Sequence, residues 1–361
     1  MAEPRRASKT RLGLAVCIVL ITILVVSNVW LYATVDGLQK QASTLKTHNN
    51  ELEGQVNGLR IYVDSINTTR TDAKPTLLWK YKTGDHVQRT SISNSLSQVG
   101  DIRIVAGSDD KNIYMFDVWG LLWQRQLEGK VWGASVSPNG EYVAGDTEGG
   151  NLYFFDKEGN LLWQDKVAND AYEAGVSYDG EYAVFGSLDW ENLTYSAYLF
   201  NKTGSLLWTR KALDACGVAI SDDGKSIVVG ADQEFAFFYN RDGEQVWKYK
   251  TGGAVTGVSM SGDANLIVAV SNDGYVYALD RNGTLIWKYD TGISGWEVSV
   301  SRDGQYIASS SENLVCFFDK GGNLIWQHAM PMETEGVGLS EHGEFLALGS
   351  YDGNVYLFKA L

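Results

Sequence analysis

Hydrophobic residues recur with a different period in each of three successive stretches of the chain. Residues 12–35 carry no charged side chain, residues 38–66 repeat apolar positions every seven residues, and the remainder alternates apolar and polar positions in short runs. These patterns are typical of a membrane-spanning helix, a coiled-coil helix and β-strands, respectively. The sequence therefore predicts three structurally different parts.

Tryptophan recurs at nearly constant intervals through the strand-rich part. The intervals are 44, 40, 45, 39, 40 and 39 residues, between Trp79, Trp123, Trp163, Trp208, Trp247, Trp287 and Trp326. A period near 40 residues indicates one small sheet that is repeated and must stack on its neighbours to bury its faces. Each repeat contains four strand signals separated by glycine-containing turns. We therefore predict an all-β fold, a seven-bladed β-propeller at residues 77–361.

The last repeat lacks an outer strand, because the chain ends after the third-strand signal Val355–Phe358. The segment Leu77–Trp79 matches the missing strand and lies at the other end of the domain. We predict that this N-terminal strand closes the seventh blade and removes an exposed sheet edge. The seven tryptophans are predicted to be structural core residues that fill the wide rim between radial sheets.

The uncharged run at residues 12–35 is long enough to cross the ~30 Å hydrocarbon core of a bilayer. Arg5, Arg6, Lys9 and Arg11 precede it. Basic residues favour the cytoplasmic side, so we expect residues 1–11 to be cytoplasmic and the propeller to lie outside the cell membrane. The alternatives are a cleaved signal peptide, whose apolar core is usually shorter, and a lipid anchor at Cys17, where the preceding Val16 is bulky.

A heptad pattern occupies residues 36–66. Leu38, Leu45, Leu52, Leu59 and Ile66 are seven residues apart, and Asn49 lies at an alternate seam position. A buried asparagine there favours a parallel dimer, whereas Gly54 and Gly58 weaken the helix by ~1 kcal/mol each. We predict a coiled-coil stalk that forms a homodimer; the alternative is a single amphipathic helix. Residues 67–76 are polar and form the predicted linker.

Two further features agree with an extracytoplasmic propeller. Acceptor patterns for N-glycosylation occur at Asn67, Asn192, Asn201 and Asn282. Outside the predicted span only Cys216 and Cys316 remain, so there is no disulfide framework, and both are expected to be buried small hydrophobes. The formal net charge of −14 argues against a nucleic-acid partner. It favours a soluble acidic surface or, alternatively, attraction of cations.

Aligning the repeats on the serine that ends each inner strand brings several charged and aromatic residues to one ring position. Arg89, Glu173 and Glu297 share a position with four glycines, and Trp132, Tyr172, Trp296 and Glu335 precede that position by one residue. Such positions lie near one mouth of a propeller channel. We predict a site there for a polar or cationic ligand or a partner's side chain. The alternative is that the charges neutralise one another and plug the axis.

The outer-strand motif Asp-x-x-Gly-x-x-x-Trp resembles the tryptophan-docking repeat of PQQ-like, or quinoprotein-like, β-propellers. It occurs at Asp156–Trp163, Asp280–Trp287 and Asp319–Trp326, with Asn240–Trp247 as a variant. The resemblance covers residues 77–361, although that family commonly has a Thr-Gly pair and a longer turn. The repeat unit is also similar to that of WD-repeat propellers, without their Gly-His and Trp-Asp pairs.

The resemblance implies one of two functional classes, because some PQQ-like propellers are dehydrogenases with PQQ and Ca²⁺ and others are non-catalytic scaffolds, including a subunit of an outer-membrane protein assembly machine. The enzymes resemble one another in having vicinal cysteines and usually eight blades, and this sequence predicts neither. It also contains no nucleophile elbow and no metal-binding histidine pair. We therefore predict a membrane-anchored binding or assembly scaffold without catalytic residues, cofactor or metal; the alternative is a PQQ-dependent dehydrogenase.

Overall fold

The computed structural model describes residues 74–93, 99–167, 170–189, 194–212 and 215–361. The predicted membrane helix at 12–35, the stalk at 36–66 and all but the end of the linker lie outside these residues. No helix within the described ranges is long and apolar enough to cross a bilayer.

The regular structure of the described residues consists of 28 strands and one short 3-10 helix at Val99–Asp101. The strands of the first half are β1 Thr76–Lys82, β2 Val87–Ile92, β3 Ile104–Ser108, β4 Asn112–Asp117, β5 Gly120–Gln126, β6 Val131–Val136, β7 Tyr142–Thr147, β8 Asn151–Asp156, β9 Leu161–Lys166, β10 Asp170–Val176, β11 Tyr182–Asp189, β12 Thr194–Asn201, β13 Leu206–Ala212 and β14 Ala215–Ile220. Those of the second half are β15 Ser226–Ala231, β16 Phe235–Asn240, β17 Gln245–Lys250, β18 Val255–Met260, β19 Leu266–Ser271, β20 Tyr275–Asp280, β21 Leu285–Asp290, β22 Glu297–Val300, β23 Tyr306–Ser311, β24 Leu314–Asp319, β25 Leu324–Ala329, β26 Thr334–Leu339, β27 Phe345–Ser350 and β28 Asn354–Lys359.

These strands form seven antiparallel four-stranded sheets, so the prediction of a seven-bladed propeller is confirmed. Blades 1 to 6 are the consecutive quartets β2–β5, β6–β9, β10–β13, β14–β17, β18–β21 and β22–β25. Blade 7 has the order β1-β28-β27-β26, in which the N-terminal strand pairs with the C-terminal one. The predicted closure is therefore also confirmed, and every inner strand has a neighbour on both sides of the ring.

The core lies between the sheets rather than within any one of them. Seven apolar clusters are present in the described residues, and each draws side chains from two adjacent blades. The cluster around Phe116 and Leu357 joins blade 1 to blade 7 and so completes the ring. Because a single sheet leaves both faces apolar, burial requires stacking, and stacking of twisted sheets around an axis gives the ring.

The repeated tryptophans join neighbouring blades at the rim. Each indole Nε1 donates a hydrogen bond of 2.6–3.1 Å to a backbone carbonyl of the next blade or, for Trp79, of blade 1. Trp208 and Trp326 are buried, at 8% and 5% exposed, whereas the other five are half-buried. The outer strand is a sheet edge, so its tryptophan has solvent on one side. The repeated tryptophans therefore link neighbouring blades, and most of them are only partly buried.

Candidate binding site at one mouth of the channel

Four inner strands bring charged side chains from distant parts of the chain together on the channel axis. Arg89 lies on β2, Glu173 on β10, Glu297 on β22 and Glu335 on β26. Their blades are 1, 3, 6 and 7, so they meet only because the ring closes. Their side chains are 7–13% exposed.

Arg89 is the centre of this group. Its Nε donates to Glu173 Oε2 at 2.6 Å and lies 3.1 Å from Glu297 Oε2, while its Nη1 lies 3.5 Å from Glu335 Oε2. The single Nε hydrogen is directed at Glu173, so Glu297 Oε2 is attracted by charge but receives no directed hydrogen bond from the described residues. The three carboxylates keep the pKa of Arg89 raised although burial alone would lower it.

Asp146 on β7 is a fourth acid in this group, and the sequence alignment did not select it. It is fully buried, and its Oδ1 accepts a 2.7 Å hydrogen bond from the backbone N of Gly133. A Cβ on Gly133 would lie 2.0 Å from Asp146 Oδ2, so the carboxyl group occupies the space that the glycine leaves empty. Gly133 holds the ring position of Arg89, Glu173 and Glu297. We call Arg89, Asp146, Glu173, Glu297 and Glu335 the charge cluster.

The charge cluster contains four acids and one arginine, so its net charge depends on which of the acids are protonated. Burial, reinforced by the nearby Glu173, raises the pKa of Asp146 well above its ordinary value. Burial and the same glutamate raise the pKa of Glu297. Burial also raises the pKa of Glu173, which the attraction of Arg89 opposes. Asp146 and Glu297 are thus the acids of the cluster that hold a proton most strongly.

A cavity of 340 Å³ opens on one side of Arg89 and is called here the mouth cleft. It is lined by His86, Gln88, Arg89, Asp109, Lys130, Trp132, Tyr172, Glu335 and Tyr351. Trp132 stacks on Tyr172 with ring centroids 4.8 Å apart, and His86 stacks on Tyr351 at 4.6 Å. Two aromatic pairs from blades 1, 2, 3 and 7 therefore flank a polar floor.

Polar side chains in the mouth cleft are held by one another. Tyr351 Oη donates to Glu335 Oε1 at 2.6 Å, and burial together with this carboxylate raises the pKa of Tyr351. Lys130 Nζ lies 3.1 Å from Asp109 Oδ2, and Gln88 Nε2 donates to Asp109 Oδ1 at 3.0 Å. The floor is preorganised, which lowers the cost of ordering side chains when something binds.

The structure divides the predicted site residues into three groups. Arg89, Trp132, Tyr172 and Glu335 line the mouth cleft. Glu173 and Glu297 lie on the far side of Arg89, where they line a channel cavity of 170 Å³ that Arg89 also touches. Trp296 lines neither cavity, and its buried indole Nε1 has no hydrogen-bond partner among the described residues.

Four residues of the mouth cleft, His86, Asp109, Lys130 and Tyr351, could not be predicted from the strand alignment because they lie in loops between strands. Gln88 lies on β2 at the aligned position of Trp132 and Tyr172, but it was not selected as a candidate. Asp146 did leave a signal, because it is a charged residue inside an otherwise apolar and small inner run, Tyr142–Thr147.

The opposite mouth has a simpler ion network. Arg302 Nε contacts Asp222 Oδ2 at 2.6 Å, its Nη1 contacts Glu341 Oε1 at 3.2 Å, and its guanidinium lies 4.5 Å from the Tyr178 ring centroid. Here one cation meets two carboxylates, whereas Arg89 belongs to a cluster of four acids. The two mouths thus differ in charge although the blades repeat.

The other sequence candidates lie apart from the mouth cleft. Asn201 and Asn282 begin or occupy turns between third and fourth strands, and Asn282 is exposed. Asn67 and Asn192 lie outside the described residues. Cys316 is buried, and burial raises the pKa of its thiol to about 11, as expected of an unreactive core cysteine. The side chain of Cys216 lies outside the described residues.

The donor set at the mouth does not fit a Ca²⁺ ion such as quinoprotein enzymes hold. Calcium takes six to eight oxygen ligands, in the usual range of ~2.3–2.6 Å. The carboxylates of Glu173, Glu297 and Glu335 instead converge on the guanidinium of Arg89, which is itself the cation of the site. No group of three or more acidic, histidine or cysteine side chains in the described ranges is arranged to hold a metal ion.

Comparison with known proteins decides the class of the repeat. Residues 195–356 match the family model described as outer membrane protein assembly factor BamB. These residues are similar to PQQ-like β-propeller repeats, and the described part of the chain has the seven-bladed β-propeller fold. Its structure is similar to the β-propeller domain of Cps50 (Swd1) from Myceliophteria thermophila, with a TM-score of 0.65 and 15% identity over 79% of this chain and 99% of that one. No curated protein matches the chain.

The two comparisons carry different weight. At 15% identity, the Cps50 domain shows the fold alone. The family model matches residues in blades 3 to 7 and agrees with the Asp-x-x-Gly-x-x-x-Trp resemblance. The predicted resemblance to both propeller classes is therefore confirmed, and fold by itself does not assign a function.

Proposed function

We propose that the chain is a non-catalytic binding scaffold that holds a protein partner of the cell envelope at the mouth cleft. Residues 12–35 anchor it in the membrane, and the propeller lies on the extracytoplasmic side. The observation that carries the proposal is the mouth cleft itself, a preorganised cavity with two aromatic pairs over a hydrogen-bonded floor.

Three features support binding rather than turnover. Aromatic residues, with a buried arginine beneath them, are the side chains that most often dominate binding energy at protein interfaces. Glu173 and Glu297 contact Arg89 from the side away from the mouth cleft, and Asp146 accepts a hydrogen bond from Gly133 N. Glu335 lines the cleft and is held by Arg89 and Tyr351. The match to an outer membrane assembly factor model supports an assembly role at an envelope.

A site-specific photocrosslinker tests the proposal in the host cell. The full anchored chain carries p-benzoyl-phenylalanine in place of Lys130, whose side chain is 42% exposed at the cleft. The matched control carries it in place of Asp165, which is exposed on the outer strand β9. We expect a discrete crosslinked partner from position 130 and not from position 165.

Two results would overturn the proposal. One is the same crosslinking pattern from both positions or from neither. The other is dye reduction by the purified chain on addition of PQQ, Ca²⁺ and an alcohol or sugar, which would place it with the dehydrogenases.

A further inference from the structure

We propose that the mouth cleft receives a basic side chain, lysine or arginine, from a loop of the partner. This inference rests on the proposed function and specifies the chemistry of the contact. It follows from the surplus of acid at the site and from the placement of the aromatic pairs.

The charges around the cleft favour a cationic occupant. The carboxylates of Asp109, Glu173 and Glu335 outnumber the cations Arg89 and Lys130, and the two buried acids Asp146 and Glu297 add carboxyl groups that hold their protons. Both cations are already paired, Arg89 with three glutamates and Lys130 with Asp109. An anionic ligand would meet uncompensated acid in a partly desolvated site, where like charges repel strongly.

Two buried carboxyl oxygens behind the floor of the mouth cleft lack a hydrogen-bond donor among the described residues. Asp146 Oδ2 and Glu297 Oε2 are both buried and receive no hydrogen bond within the described part of the chain. Asp146 is fully buried and Glu297 is 5% exposed. Buried polar atoms without partners are uncommon in folded proteins. An added positive charge above Arg89 would favour the ionised form of both acids.

The aromatic pairs favour an organic cation with an aliphatic stem over a bare ion. Lysine and arginine pack their methylene groups against apolar surface while the charged end reaches polar groups. Trp132 with Tyr172, and His86 with Tyr351, offer such surfaces on the walls of the cleft, and Glu335 and Asp109 offer carboxylates at its base. A cation over an aromatic face is attracted by the ring quadrupole.

Contacts between a basic side chain and an aromatic ring occur repeatedly in the described part of the fold, and three of them show the geometry. Lys202 Nζ lies 4.2 Å from the Tyr142 ring centroid, the Arg241 guanidinium lies 4.6 Å from that of Tyr182, and the Arg302 guanidinium lies 4.5 Å from that of Tyr178. In each case a carboxylate or carbonyl of a neighbouring turn completes the contact. The mouth cleft presents the same combination of groups toward solvent.

Fluorine NMR of the full chain labelled with 5-fluorotryptophan tests the inference. The chain has 12 tryptophans, and the Trp132 resonance is identified by its loss in Trp132→Phe. The probes are four acetylated and amidated tripeptides, Gly-X-Gly, with X as lysine, arginine, norleucine or glutamate. We expect a saturable shift of the Trp132 resonance with the lysine and arginine peptides only.

The variants Glu335→Gln and Asp109→Asn should each weaken that binding by about tenfold, because each removes one charge-assisted contact. The matched control is Glu341→Gln, which removes a glutamate paired with an arginine at the opposite mouth and should leave the affinity unchanged. An unshifted Trp326 resonance in each variant shows that the blades remain folded.

The outcomes separate this inference from the proposed function. An equal shift with norleucine or glutamate, or no shift with lysine and arginine, overturns the cationic occupant. If the photocrosslink at position 130 is then still formed, the scaffold proposal stands and only the chemistry assigned to its contact fails. If the crosslink is also lost, both proposals fail.

Discussion

At four of the seven tryptophan contacts between blades, a glycine faces the indole: Gly159 faces Trp123, Gly204 faces Trp163, Gly283 faces Trp247 and Gly322 faces Trp287. Gly283, in the turn before β21, has φ +79°, and a Cβ there would lie 2.8 Å from the Trp247 ring. The same turn provides the carbonyl of Arg281 that accepts the Trp247 indole hydrogen bond at 2.9 Å. The motif Asp-x-x-Gly therefore meets two requirements at once, a left-handed backbone and room for the indole of the preceding blade.

Substitution of Gly283 separates these two requirements. Gly283→Ala should lower the melting temperature more than Gly292→Ala, because Gly292 also has positive φ, +71°, but nothing lies within 4 Å of its Cβ position. Both variants bear the ~1–2 kcal/mol cost of a left-handed alanine, and only the first displaces an indole. Calorimetry of the two variants checks this, and equal melting shifts would show that the tryptophan contact contributes nothing.

The buried acid Asp146 should make stability depend on pH. Its pKa in the folded protein lies well above the ordinary 3.8, so the folded state binds this proton more tightly than the unfolded state does. Stability is then lost as the pH rises above 3.8 toward the raised pKa, since the unfolded chain releases the proton first. Asp146→Asn keeps an acceptor for Gly133 N and removes this loss.

We expect Asp146→Asn to gain melting temperature relative to the native chain between pH 5 and pH 8, by about 2–4 °C for each kcal/mol recovered. Asp165→Asn, at an exposed position, is the control and should show no such gain. A difference between Asp146→Asn and the native chain that is constant with pH would mean that Asp146 stays ionised in the fold.

Single residues also show how far the sequence could predict the site. The alignment on inner-strand serines placed Arg89, Glu173 and Glu297 at one ring position because strand register is regular and the ring is closed. It could not place Asp146, which reaches that position from β7 only because Gly133 leaves space for it. Trp296 had the right register, yet it contributes to neither cavity. Register predicts where a Cα lies, whereas packing decides where a side chain goes.

Among the structural elements, the outer strand departs most from simple alternation. In β9 the register shifts between Leu161 and Trp163, so that Leu162 has no partner on β8. Both leucines are exposed, at 49% and 47%. Similar shifts occur before Trp79, Trp123, Trp208, Trp247, Trp287 and Trp326. A bulge at a sheet edge bends the strand and opposes edge-to-edge pairing. Sequence periodicity predicted the strand but not this bulge.

Substitution of Trp79 tests how much the closing strand β1 contributes to stability. Trp79→Ala should lower the melting temperature more than Trp208→Ala, although Trp208 is the more buried residue. Trp208 lies within a blade made of one continuous segment, whereas Trp79 lies on the strand that joins the two ends of the domain. Loss of Trp79 weakens both the pairing with β28 and the indole contact to Val118 O of blade 1. A smaller melting shift for Trp79→Ala would contradict this role of the closing strand.

Across the whole chain, seven repeated sheets give a symmetric ring that carries a site without symmetry. Small residues at four of the seven ring positions leave space, and charged residues at the other three fill it. The mouth cleft arises where blades 1, 2, 3 and 7 meet, next to the point of closure. A binding site at the closure is held by strands from both ends of the domain, so its geometry depends on the ring being intact.

We propose that the heptads at residues 36–66 form a homodimer, which would give each assembly two mouth clefts. The full chain in detergent should have twice the monomer mass by light scattering. Leu45→Asp combined with Leu52→Asp should reduce it to the monomer mass, because two charges would enter the predicted apolar seam. The control pair Ser43→Asp and Thr47→Asp adds the same charge at positions outside the seam and should remain dimeric. A monomeric native chain at every concentration would instead favour a single amphipathic stalk, with one mouth cleft for each anchored molecule.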